Sequence, residues 1–264
     1  MNIEDILKSR ILILDGAMGT MIQKYKLTEE QFRGEQFKDA EKPQKGNNDL
    51  LSITQPKIIG EIHRAYLEAG SDIIETNTFN STSISMADYN MQNQVREMNL
   101  SAARIAREAA DEYTAKTPDK PRFVAGAVGP TNKTTSMSPD VENPMYRAVT
   151  FDEMKDSYKE QIRALVDGGV DLLLIETIFD TLNSKAAIFA AEEVKRETNK
   201  DVPLILSVTI TDKAGRTLSG QTLEAFLTSV RHANPLVIGL NCSFGASDMK
   251  PYMKELKKMS PFYT

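Results

Sequence analysis

Ala69-Gly70-Ser71-Asp72-Ile73-Ile74-Glu75-Thr76 and Gly168-Gly169-Val170-Asp171-Leu172-Leu173-Leu174-Ile175-Glu176-Thr177 decide the fold. Each reads as the end of a helix, a glycine, an aspartate, a short apolar strand and then Glu-Thr. A unit repeated with the same punctuation points to an architecture built from successive βα elements. The helix before the first copy is visible in Ile58, Ile62, Tyr66 and Ala69, which recur every three or four residues.

Working outward, four more apolar runs have strand character: Ile11-Leu12-Ile13-Leu14, Phe123 to Val128, Leu204 to Val208 and Leu236 to Leu240. Each of the six strand candidates is followed by enough chain for a helix. The helix that starts near Thr150 is typical: Thr150 and Glu153 have capping-box spacing, and Met154, Tyr158, Ile162 and Leu165 then share one face. Near-continuously apolar strands with helices between them imply a parallel sheet covered by helices.

The choice lies between an open doubly wound sheet and a closed barrel. Asp15, Glu75, Asn77, Glu176, Thr209, Asn241 and Cys242 fall at the C-terminal ends of five of the six strands. An open sheet gathers its site at one switch point, whereas a barrel draws residues from many strand ends. No G-x-G-x-x-G element follows any strand, so nothing supports a dinucleotide site. The expected class is α/β, a (β/α)8 TIM-type barrel. Closure needs eight units, and Ser260-Pro261-Phe262-Tyr263-Thr264 reads as the start of a seventh strand. Residues 1–264 are therefore expected to form one barrel domain, truncated after about six βα units and C-terminally incomplete.

Composition narrows the function. The 264 residues are 41% hydrophobic and 26% charged, which excludes disordered and collagen-like classes. A formal net charge of −5 argues against a nucleic-acid partner. No apolar run approaches the length of a membrane span, and Met1 to Asp5 lacks the pattern of a signal peptide. A single cysteine rules out an intramolecular disulfide and fits a reducing compartment, so a cytoplasmic location is expected.

Two polar stretches interrupt the alternation, Thr28 to Asp49 and Pro130 to Thr150. Both follow strands, where long connections serve as binding loops or lie as mobile surface insertions. Cys242 lies just past the sixth strand. A nucleophilic role would need a histidine base, and neither His63 in the outer helical layer nor His232 at the opposite end of the strands qualifies. A thiolate metal ligand suits the position better, although a zinc site needs three or four ligands and this chain supplies one thiol. Asp15, Glu75 and Glu176 could bind a metal, act as acid and base, hold a substrate ammonium, or cap the helices that follow them. The glycines of Asp15-Gly16-Ala17-Met18-Gly19-Thr20 suit a tight turn beside a ligand. Thr76, Asn77 and Asn241 add neutral hydrogen-bonding groups.

Taken together, these motifs resemble the homocysteine S-methyltransferase family. The resemblance rests on Leu14 to Thr20, Gly46-Asn47-Asn48-Asp49-Leu50, Ile74 to Phe79, Ala127 to Asn132, Ile175-Glu176-Thr177 and Gly239-Leu240-Asn241-Cys242. Thr211 to Gln221 is more similar to the homocysteine-binding module of cobalamin-dependent methionine synthases than to betaine-dependent relatives. The resemblance implies a barrel in which zinc, held by three cysteines, activates the homocysteine thiol as a methyl acceptor and methionine is formed. It matches Cys242 to the first zinc ligand and leaves the other two missing from this chain, so the site is expected to be incomplete and the chain inactive alone. It assigns Asp15 and Glu176 to the amino end of homocysteine, with Gly16, Thr76 and Asn77 around it. Methylcobalamin and methyltetrahydrofolate are implied on other modules of a longer polypeptide. The alternatives are a stand-alone enzyme using betaine or S-methylmethionine, and a non-catalytic fragment that keeps the pocket without zinc.

Overall fold

The computed structural model describes residues 3–264, and the chain sorts into two compact units. One runs through Ala127 and takes in Ala164–Leu172; the other holds Val128–Arg163 and Leu173–Thr264. The described residues form five strands: β1 (Ile73–Glu75), β2 (Phe123–Val128), β3 (Leu172–Ile178), β4 (Leu204–Val208) and β5 (Val237–Leu240). Six longer helices follow or separate them: α1 (Pro56–Glu68), α2 (Val95–Lys116), α3 (Phe151–Asp167), α4 (Thr181–Thr198), α5 (Leu223–Val230) and α6 (Ala246–Met259). The α/β class read from the sequence is the class observed.

In the first unit β1 pairs in parallel with β2, setting Ile73 opposite Phe123 and Glu75 opposite Ala125. The strand expected at Ile11–Leu14 is reduced to one parallel bridge, Leu14 to Ile73, and Ile11 is 87% exposed. The Ile73 N–H to Ile13 carbonyl bond at 3.1 Å and the Asp15 N–H to Ile73 carbonyl bond at 2.9 Å flank this bridge, and the pairing stops where the Glu75 N–H turns to the Asp15 carboxylate at 3.1 Å instead of to backbone. Helices α1 and α2 pack together, with Ile105 of α2 against the buried Ile59 and Ile62 of α1, and α2 also buries a run of alanines that includes Ala102, Ala106 and Ala109. Alanine at these positions favours the helix.

The sequence repeat acquires a physical meaning in this unit. Gly70 and Gly169 both have positive φ, +112° and +89°, where a side chain would be strained, and so they end their helices. The aspartate two residues on then does the same work twice. Asp72 takes the Ile13 N–H and a forked pair of bonds from Arg10 at 2.8 and 2.9 Å. Asp171 takes the Val124 N–H at 2.7 Å and an ion pair with Arg107 at 2.5 Å. In both cases a carboxylate at a strand start satisfies a backbone donor of the preceding segment, and an arginine compensates its charge. Gly168 is fixed by packing, because a Cβ there would lie 2.5 Å from the Ala103 Cβ.

In the second unit β3, β4 and β5 pair in parallel, with Ile175 opposite Leu206 and Ser207 opposite Gly239. Tyr263 forms a single parallel bridge to Val237, in line with the strand start read at the end of the sequence. The β3–β4 register shifts between Ile175 and Ile178, and Thr177 inside the shift has φ +53°. Met154, Ile162 and Leu165 are buried as the periodicity predicts, Met154 and Ile162 in this unit and Leu165 in the first. The Thr150–Glu153 box forms in full: the Glu153 N–H donates to Thr150 Oγ1, and Glu153 Oε2 accepts from the Thr150 N–H.

Candidate functional site

The first unit carries Asp15, Gly16, Glu75, Thr76 and Asn77. Both Asp15 carboxylate oxygens lie within hydrogen-bond distance of the Glu75 N–H, at 3.1 and 3.2 Å. Burial, and after it the charge on Asp15, pushes the Glu75 carboxyl up to about 8. A nearby like charge in a poorly solvated place favours the neutral form of the Glu75 carboxyl. Tyr66 stands behind the turn: its hydroxyl donates to the Ala17 carbonyl at 3.3 Å, and a Cβ on Gly16 would approach that hydroxyl to 3.2 Å. Burial and then the negative charges of Asp15 and Glu75 keep the phenol protonated. A side chain at Gly16 would crowd the tyrosine under it, which would have to give by a few tenths of an ångström.

Thr76 and Asn77 are buried and engaged within the fold. Thr76 Oγ1 accepts the Ala127 N–H at 3.0 Å and bonds Thr78, whose hydroxyl reaches the Ala127 carbonyl at 2.7 Å. Asn77 Nδ2 donates to the Asn48 carbonyl at 2.7 Å and to Ser52 Oγ at 3.2 Å. Asp49, only 3% exposed, accepts from the Asn80 N–H at 2.9 Å and from Ser81 Oγ at 3.0 Å. Burial pushes its carboxyl up despite these bonds. The segment Asn47–Asp49 is therefore stitched to the segment that follows β1. The sequence gives no period for this contact; its only signal is the short polar run Gly46 to Asp49. The stretch Thr28–Asp49 is not a mobile insertion. Thr28 and Gln31 close a capping box, and Glu29 accepts from Arg33 and from the Gln44 and Lys45 N–H groups.

The second unit carries Glu176, Asn241 and Cys242. Asn241 is the hub. Its Oδ1 accepts from the Thr177 N–H at 3.1 Å and from Ser207 Oγ at 2.9 Å. Its Nδ2 faces Thr177 Oγ1 at 2.8 Å, Glu176 Oε2 at 3.2 Å and Cys242 Sγ at 3.5 Å. Cys242 is a free, exposed thiol whose backbone sits at φ +50°. Non-glycine residues at positive φ cost strain and gather at functional sites. Thr177 and Cys242 show it on either side of one amide.

Beside this hub lies a small recess lined by Gly129, Pro130, Tyr158, Glu176, Asp180 and Ser184, among others. The loop Pro130–Thr150 is anchored next to it. Ser136 donates through N–H and hydroxyl to Asp180 Oδ2 at 3.0 and 2.6 Å, and Thr135 does the same to Asn183 Oδ1 at 2.9 and 2.7 Å. Asp180 also caps α4 through the Leu182 N–H. The sequence reading missed Tyr66, Asp49 and Asp180, because these partners lie 32 to 49 residues away.

Three or four donors are needed to hold zinc. Among the described residues no group of three His, Cys, Asp or Glu side chains comes together that could hold a metal ion. Cys242 is one donor and its surroundings supply no second thiol, so the residues present do not by themselves fit the zinc site that the resemblance implies. His63 lies mid-helix in α1, as read from the sequence, and is buried there. No helix among the described residues is long and apolar enough to cross a membrane.

The family model for homocysteine S-methyltransferases matches residues 12–264. Among solved structures, the metallated form of the homocysteine methyltransferase MmuM from Escherichia coli superposes with a TM-score of 0.74 at 20% identity, covering 97% of this chain and 83% of that one. The apo form of the same enzyme gives 0.69 at 20% identity, with 97% and 81% covered. At that identity the likeness speaks for the fold, and the α/β architecture described above agrees with it.

Proposed function

We propose, from the premise that this chain belongs to the homocysteine S-methyltransferase family, that it binds homocysteine and presents its sulfur to a methyl donor, forming methionine. The observation that carries this reading is the Asn241 hub, where one half-buried amide faces both the Glu176 carboxylate and the Cys242 thiol. A carboxylate suited to an ammonium group and a sulfur ligand are thereby tied to a common support.

In this reading Asp15 and Glu176 take the substrate ammonium, and Gly16 keeps the Asp15 turn low enough for approach. Thr76 and Asn77 act one layer back, since their side chains are occupied in holding β1 to its neighbours. Cys242 is proposed as one ligand of a zinc ion; when bound, that ion would supply a deprotonated substrate sulfur at neutral pH, where a free thiol with a pKa of about 8.5 is mostly protonated. Because the described residues furnish one thiol only, no step is assigned to the metal. In the transfer itself a sulfur lone pair forms the new C–S bond, the methyl leaves its carrier, and the thiol proton is lost to solvent.

Methylcobalamin on a separate module is the proposed donor, with methyltetrahydrofolate held elsewhere, supported by the Thr211–Gln221 segment. The test has two parts. Methionine formation from homocysteine is measured with methylcobalamin, S-methylmethionine and betaine in turn, and the first is expected to be the best donor. Glu176→Gln, by under-pairing a buried ammonium, is expected to cost about 2–5 kcal/mol in homocysteine binding while leaving the melting temperature nearly unchanged. An unchanged KM together with a collapsed melting temperature would make Glu176 structural and end the assignment.

A further inference from the structure

Asn48 stands out in the first unit because its neighbours are fixed and its own side chain is not engaged. On one side Asn47 is buried, donating to Gln44 Oε1 at 3.2 Å; on the other Asp49 is locked onto Asn80 and Ser81. The Asn48 carbonyl accepts from Asn77 Nδ2 at 2.7 Å, and its N–H bonds the Gly46 carbonyl at 3.0 Å. The backbone of Asn48 is thus held on three sides. Its side chain is half-buried and has no hydrogen-bond partner among the described residues. The amide nitrogen faces the Asp15–Thr20 turn, standing 3.6 Å from where a Cβ on Gly19 would lie.

A donor carried on backbone held this way and left open suits a recognition group, because the segment that carries it loses little freedom on binding. Its chemistry is also selective. A lysine or arginine here would bring a positive charge to the turn that carries Asp15 and compete with a substrate ammonium for its carboxylate. A neutral amide can donate to an anion while leaving that acid for a cation. An α-amino acid offers both charges on one carbon. We infer that Asn48 is a specificity-determining residue, its side-chain amide donating to the carboxylate of the amino-acid substrate whose ammonium meets Asp15. The inference rests on the homocysteine reading above and adds to it the group that selects the carboxylate. Asp49 is then a positioning residue, acting through the segment it anchors.

The experiment compares two probes that differ in that carboxylate alone: homocysteine and 3-aminopropanethiol, which keeps the thiol and the amine. Binding of each to the wild-type protein, Asn48→Ala and Asn48→Asp is measured by calorimetry, with a thermal melt of each variant. A hydrogen bond to a charged group corresponds to a change of about tenfold or more in affinity. Homocysteine is therefore expected to bind about tenfold more weakly to Asn48→Ala and weaker still to Asn48→Asp, whose added charge opposes the carboxylate. The affinity of 3-aminopropanethiol for Asn48→Ala should not move. Equal losses for both probes, or none for either, would overturn the inference even while wild-type homocysteine binding upholds the function. A wild-type protein that binds no homocysteine would overturn both.

Discussion

His63 is the sharpest test of the packing described for the first unit. It lies in α1, is fully buried, and neither ring nitrogen has a hydrogen-bond partner among the described residues. Burial first, and the charge of Arg64 second, lower its pKa from 6.5 to about 4. Arg64 is itself engaged by Glu108 and Glu112 of α2, so the cationic neighbour stays charged throughout the relevant range. The folded-state pKa lies below the unfolded one. The folded state therefore holds its full stability above about pH 6.5 and loses it as the pH falls toward 4, because the unfolded chain takes up a proton that the native core refuses. Two and a half pH units correspond to about 3 kcal/mol in the limit, and to about 2 kcal/mol at pH 5. At roughly 2–4 °C per kcal/mol for a chain of this size, the wild-type protein should lose about 4–8 °C more than His63→Leu between pH 7.5 and pH 5. Thermal melts of the two proteins at half-unit intervals read this difference directly, since every other titrating group is common to both. Parallel curves, or a His63 titration midpoint near 6.5 by NMR, would refute the buried neutral imidazole.

Three further outcomes are expected. A Glu75 carboxyl raised to about 8 contributes stability in full below its ordinary pKa of 4.5 and loses it as the pH climbs through 8; Glu75→Gln should thus match wild type in melting temperature at pH 5 and exceed it at pH 8, and no divergence would mean that the acid ionises normally. Gly16→Ala should cost about 1–3 kcal/mol in denaturant unfolding by pushing Tyr66 off the Ala17 carbonyl, with part of the loss recovered when Tyr66→Leu is added; strictly additive losses would show that the tyrosine is not the obstacle. Asp180→Ala removes a helix cap worth about 1–2 kcal/mol and the Ser136 anchor together, so amide exchange across 131–138 should accelerate, and unchanged protection there would place the loop's hold elsewhere.

The parts of this molecule that local periodicity controls are legible in its sequence. The apolar runs became β1 to β5, and the Thr150–Glu153 box starts its helix as read. Even the repeated Gly–Asp unit is visible, although its reason is not: that Asp72 and Asp171 each bind a backbone N–H of the preceding segment depends on partners 59 and 47 residues away. The same limit explains the strand expected at Ile11–Leu14. An apolar run reports a preference for extended backbone, but a ladder needs donors and acceptors free to pair, and the next donor across from this run, the Glu75 N–H, is already given to the Asp15 carboxylate. Asn48 and Asp49 show the opposite case. Their stretch reads as a polar loop, yet it is tied into the first unit by bonds that run to the turn after β1 and carry no sequence period.

What the strand-end residues of the second unit add is an account of why polar groups sit there at all. Thr177, a β-branched residue at φ +53°, and Cys242 at φ +50° each hold a backbone shape that costs about 1–3 kcal/mol and persists only where surrounding contacts over-determine it. Asn241 provides that determination. It bonds the Thr177 backbone, the Thr177 hydroxyl and Ser207, and it faces the Glu176 carboxylate. The register shift between Ile175 and Ile178 is where β3 departs from regular pairing to make those bonds. A strand end built of apolar residues would relax into ordinary ladder geometry. Here the amide holds two unfavourable backbone conformations in place, and the groups so fixed are a carboxylate and a thiol rather than elements of the core.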